Sequence, residues 1–198
     1  MRHAAMRAIM RVAAAPAIAL ACLVGAGPSA AVAASVALVN PGFESTKPGV
    51  RGDPEGWTAI QHAGPLSYTF KRDADVRHGD AASLRVDNVG PEPFGAIFQQ
   101  LPAAALRGRT VRLTAWLRTR GVTGSGTGGG AVLTLQAMQS GALLAHEHMA
   151  ATPVKGTTDW TRYEITLAIP RAADQVEIGA MLHGPGTLWL DDVELAAE

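Results

Sequence analysis

The 198 residues include a single cysteine, Cys22, and aromatic residues make up only 5% of the chain. One cysteine closes no internal disulfide, so the stability of the fold must come from burial, or from burial plus a metal. Charge of one sign is missing as well, because 17 Lys and Arg balance 17 Asp and Glu. No basic stripe is present to neutralise phosphates, so nucleic acid is not expected as a partner. Long apolar runs are also absent. The one concentrated stretch, Val12 to Val24, is too short to cross a hydrocarbon core of roughly 30 Å, and no stable membrane span is expected.

That stretch follows Arg2, Arg7 and Arg11 and precedes small residues from Gly25 to Ala34, the three-part layout of a secretory signal peptide. Residues 1–34 are therefore read as a signal peptide cut after Ala33 or Ala34, and residues 35–198 as one secreted or periplasmic domain. A second reading takes Ala19-Leu20-Ala21-Cys22 as a lipoprotein cleavage and acylation site, although Ala19 stands where such sites use a larger aliphatic residue. Without the three leader arginines the remaining 164 residues carry 14 basic against 17 acidic side chains, a net charge near −3. That length suits a single core.

Past residue 34, apolar residues recur at every second position in short runs divided by Gly, Pro, Asn and Asp, the period of half-buried strands. In Val111 to Thr119, Val111, Leu113, Ala115 and Leu117 share one face and Arg112, Thr114, Trp116 and Arg118 the other. The pattern returns in 131–138, 163–169, 176–182 and 188–195, and more weakly in 36–39, 68–70, 83–87 and 96–101. No stretch keeps a helical period. Eight or nine short strands joined by turns predict an all-β sandwich of two antiparallel sheets. The glycine-rich segment 121–130 lies between two strands, with no helix behind it to cradle a phosphate, and reads as a linker.

The order of motifs along the chain resembles the galactose-binding-domain-like jelly rolls, in particular the carbohydrate-binding modules of bacterial hydrolases. Asn40-Pro41-Gly42-Phe43-Glu44, then Gly56-Trp57, is similar to their opening, and His78 to Val86 to their Ser-Leu-Arg-Val strand. Leu106-Arg107-Gly108 leading to Leu113-Thr114-Ala115-Trp116, and Leu188 to Leu195, resemble later strands of the same fold. Gly156 to Glu164 is also similar to modules fused to bacterial periplasmic enzymes. The resemblance implies a jelly roll that binds carbohydrate without catalysis; the alternative is a protein-interaction or accessory module that docks an envelope protein.

For sugar binding, Trp116 offers an aromatic face and Arg112 and Arg118 offer hydroxyl contacts on the same side of one strand. Gln136 and Thr134 join them if the next strand pairs alongside. Trp57, Trp160 and Trp189 occupy motif positions that the resemblance places inside the sandwich. Counting by twos from Leu195 through Val193 puts Asp191 on the inward side, where a carboxylate needs hydrogen bonds or a cation. The resemblance implies a structural Ca²⁺ held by Glu44 and Asp191; the alternative is that Asp191 bonds backbone amides of the first strand. His146 and His148, two apart in an extended segment, point the same way and fit two ligands of one Zn²⁺, but no third stands nearby. The bland alternative for them is an exposed loop end. Catalysis finds little support: no cysteine nucleophile remains after the leader, and Gly124-Ser125-Gly126 lacks the spacing and the strand-to-helix setting of a nucleophile elbow.

Overall fold

Alternation at period two produces strands throughout, and no helix occurs among the residues that the computed structural model describes, 33–49, 53–124 and 129–198. The signal-peptide reading falls outside these residues except at Ala33 and Ala34. Among the described residues eleven strands form: β1 (Ala34–Val36), β2 (Thr58–Gln61), β3 (Tyr68–Asp73), β4 (Ser83–Asn88), β5 (Phe94–Pro102), β6 (Thr110–Val122), β7 (Gly130–Gln139), β8 (Ala142–His148), β9 (Gly156–Ala168), β10 (Gln175–His183) and β11 (Thr187–Ala197).

They make two antiparallel sheets. One has the order β3-β4-β11-β6-β9, with β1 also paired to β11; the other has the order β2-β5-β10-β7-β8. Eight of the nine expected strands are present, and the ninth, expected over 36–39, shares only Val36 with β1. β2 and β8 are additions, and both lie at the edges of the five-stranded sheet.

The core lies where alternation places it. Val111, Leu113, Ala115 and Leu117 of β6 are fully buried and form one cluster with Leu133 and Leu135 of β7 and Val176, Ile178 and Leu182 of β10. Full burial of each such leucine or isoleucine contributes about 1.5–3 kcal/mol, enough in sum to replace the absent disulfide. Trp57 closes one end, packed on Phe43 at 5.0 Å with its indole N–H donating to the carbonyls of Val39 and Asn40, each at 3.1 Å.

Two departures from the simple count matter for the site. β6 and β7 belong to opposite sheets, so the glycine-rich connection between them crosses the sandwich and does not turn a hairpin. Strand β11 also carries a bulge: Asp191 faces Trp116 and Glu194 faces Thr114, so β11 advances three residues while β6 advances two. Asp192, at φ 46, absorbs the extra residue.

Candidate functional site

The outer face of the six-stranded sheet holds most of the residues singled out above. Register places Lys71, Arg85, Trp189 and Arg118 in one row across four strands, and Asp191 and Trp116 opposite each other in another. Trp116 does point outward, but its ring is covered by His78, whose imidazole stacks on it at 3.8 Å. The same imidazole meets Trp160 edge-on at 5.7 Å and pairs through Nδ1 with Asp192 at 2.7 Å. A sugar ring on Trp116 would have to displace it. Arg112 is engaged by Glu164 and Glu198, and Arg118 lies over Trp189.

Gln136 and Thr134 do not stand beside Trp116, because β7 lies in the other sheet; alternation gives each strand its two faces but not the sheet it joins. Of the three tryptophans expected inside, only Trp57 belongs to the core cluster. Trp189 alternates with the inward Leu188 and Leu190 and so points outward. It is nonetheless only 3% exposed, roofed by the guanidinium groups of Arg85, Arg118 and Arg120. Its N–H donates to Asp73 Oδ2 at 2.9 Å. Burial alone would raise the Asp73 pKa, but this bond, the amides of Asp75 and Val76 and the Arg85 charge outweigh it and hold the carboxyl below its usual range.

The bulge corrects the expected position of Asp191. It sits on the outer side of the sheet and is buried beneath the 78–82 segment, not within the sandwich. Its carboxylate accepts the N–H groups of His78 (2.9 Å), Gly79 (3.2 Å) and Asp192 (2.8 Å), so its amide partners come from that segment and from its own neighbour, not from the first strand. Burial pushes its pKa up against those three bonds. Glu44 accepts from the amides of Ala81 at 3.0 Å and Ala82 at 3.3 Å, so the two carboxylates pin both ends of the segment.

The outer face of the five-stranded sheet is of another kind. Its register sets Gln100, Glu177, Gln136 and His146 in one row, and Thr58, Phe98, Gly179, Thr134 and His148 in the next. Phe98 is half-buried and Gln100 exposed. At Gly179 any side chain would overlap the Ile97 carbonyl oxygen, so the floor between Phe98 and Thr134 stays bare. Gln100 and Gln175 both donate to Glu177 Oε1, at 2.8 and 3.0 Å. His146 and His148 do face the same way, stacked at 5.1 Å, and lie on strand β8 and not in a loop. No group of three or more His, Cys, Asp or Glu side chains suited to a metal occurs among the described residues. Farther along the face, Phe94 packs between His62 and His183. Burial, with the charge of His148, holds the His183 pKa below its usual value. Phe98 and Glu177 were not among the expected binding residues, although alternation in 96–101 and 176–182 already gives their outward direction.

No protein-family model matches the chain. It is similar to YbfP of Bacillus subtilis (strain 168), described as an uncharacterized HTH-type transcriptional regulator, with 30% identity over 146 residues. That match covers 70% of this chain and 46% of the regulator, so the chain spans less than half the length of this curated relative. Among solved structures it resembles the Stig cyclase Fisc from Fischerella sp. TAU, solved with an indole compound, at 16% identity and a TM-score of 0.59, covering 84% of this chain and 98% of the cyclase. It also resembles the CBM22-1 xylan-binding domain of Xyn10C from Paenibacillus barcinonensis, at 14% identity and a TM-score of 0.54, covering 84% and 97%. The fold is the jelly-roll β-sandwich of carbohydrate-binding modules.

Proposed function

We propose that this chain is an exported, non-catalytic carbohydrate-binding protein that takes an uncharged glycan across the outer face of its five-stranded sheet. The observation that carries this reading is the composition of the face: amide, hydroxyl and imidazole groups, with the one carboxylate of Glu177 among them, stand in rows beside Phe98 and the bare floor at Gly179. Sugars present hydroxyl edges and C–H faces, and such a surface offers a partner for each. Export rests on the layout of residues 1–34. The absence of catalysis rests on the lack of a recognisable nucleophile, since a cyclase shares the fold and the fold alone decides nothing. The regulator's name brings DNA binding to mind, but a helix-turn-helix needs helices and none occurs among the described residues.

The test is calorimetric titration with neutral oligosaccharides, xylo-oligosaccharides first. Phe98→Ala and Gln136→Ala should each weaken binding on the order of tenfold, about 1.4 kcal/mol. Full binding by both variants would remove this face from the reading.

Calcium at Glu44 and Asp191 is a second, smaller proposal. Asp191 Oδ1 and Asp192 Oδ1 each lie 3.7 Å from where a Gly42 Cβ would be, with the Glu44 side chain alongside, and carboxylate oxygens are the donors a hard ion takes. The same carboxylates already accept backbone N–H groups, which supply the positive partner in another way. Chelation should lower Tm, and Asp191→Asn should abolish that response. An unchanged Tm would leave the amides as the whole partnership.

A further inference from the structure

Three guanidinium groups gather on one indole at the outer face of the six-stranded sheet. The Cζ atoms of Arg120, Arg85 and Arg118 lie 5.2, 5.4 and 5.9 Å from the Trp189 ring centroid. Like charges brought this close repel, so the question is what neutralises each. Arg85 is answered within the protein, by Asp87 at 2.9 Å and Asp73 at 3.8 Å. Lys71, in the same row, leans on Asp87 at 3.8 Å. Arg118 has only Asp159, at 3.9 Å, and that carboxylate is 87% exposed. Arg120 has no carboxylate within 4.0 Å, although all 17 acidic side chains of the chain lie among the described residues.

The excess is local, because residues 35–198 carry a net charge near −3. It is also held in place, since the bond from the Trp189 N–H to Asp73 fixes the ring on which the guanidinium groups rest. A guanidinium lying over an aromatic face keeps its in-plane N–H donors directed sideways, where they match the two oxygens of a planar or tetrahedral anion.

We propose that Arg118 and Arg120, held over Trp189, bind a carboxylate or sulfate group carried on an acidic polysaccharide. This site lies on the opposite sheet from the neutral-glycan face and stands or falls independently of it.

The test compares polygalacturonate, dextran sulfate, neutral xylan and phosphatidylglycerol vesicles as binding partners of the whole chain. The wild type should bind one or both acidic polymers, more weakly as NaCl rises from about 50 to 300 mM, as screening requires. Arg118→Gln with Arg120→Gln should weaken that binding at least tenfold, and Phe98→Ala should leave it unchanged. If the glutamine pair does not fold, Arg118→Lys with Arg120→Lys keeps the charge and the apolar stems but loses the fork, and should bind severalfold more weakly at an unchanged Tm. Binding to vesicles alone would overturn the proposal in favour of a membrane surface. Equal binding by wild type and variants, or no binding to either polymer, would also overturn it and leave the arginines as a roof over Trp189.

Discussion

The two outward faces of this sandwich arise from the same alternation, yet one is closed on itself and the other is open. Apart from His62 with Glu92, every side-chain ion pair among the described residues includes a residue of the six-stranded sheet. There Trp116 is capped by His78, Trp189 is roofed by arginines, and most charges have a partner within the protein. On the five-stranded sheet the side chains are mainly neutral and polar, and His146 and Gln100 stand in the solvent. A tryptophan whose ring is already occupied serves stability, while a half-buried phenylalanine beside a glycine remains available to a ligand.

The comparison breaks most visibly through Trp189. Because it is 3% exposed under its arginines, Trp189→Ala should destabilise the protein by about 3–5 kcal/mol, a fall in Tm of roughly 6–20 °C by thermal denaturation. Neutral-glycan binding at low temperature should persist. A mild loss of stability would mean that the arginine roof protects little.

Trp116→Ala comes next. Half-buried and stacked by one imidazole, it should cost about 1–2 kcal/mol, and neutral-glycan affinity should stay within a factor of two. Loss of that affinity with the fold intact would return the sugar site to the six-stranded sheet.

The smallest effect separates the faces by pH. The His183 pKa is lowered in the folded state, so the unfolded chain takes up its proton first. Stability from the neutral ring is full above about pH 6.5 and is lost as pH falls below it, and His183→Gln should flatten that part of a Tm-against-pH curve. Asp73 on the other face is also lowered, but as an acid its contribution is lost only below about pH 3.8, with Asp73→Asn removing it. A single acid transition unaffected by His183→Gln would erase the distinction.

The sandwich was legible because burial on one side of a strand writes a period of two into the sequence, and 111–119, 131–138 and 176–182 keep it clearly. β8 escaped because Ala142-Leu143-Leu144-Ala145 has no alternation to read, Leu143 and Leu144 being 51% and 39% exposed. Asp191 was misplaced because counting by twos crosses the bulge at Asp192, and one extra residue inverts every parity beyond it. Parity would have placed Trp189 correctly, since Leu188 and Leu190 face inward on either side, but the motif resemblance pointed the other way. Sheet membership and the His78 cap were not readable at all. Both depend on contacts between distant parts of the chain, 38 residues apart for His78 and Trp116, which local pattern does not encode.

The most direct test of the central claim is amide and indole NMR during titration with a neutral xylo-oligosaccharide. Saturable shifts are predicted at Phe98, Gln100, Gln136, His146 and Glu177, with the indole N–H signals of Trp57, Trp116, Trp160 and Trp189 unmoved. Shifts centred on the Trp116 and Trp189 indoles, with the five-stranded face silent, would contradict it.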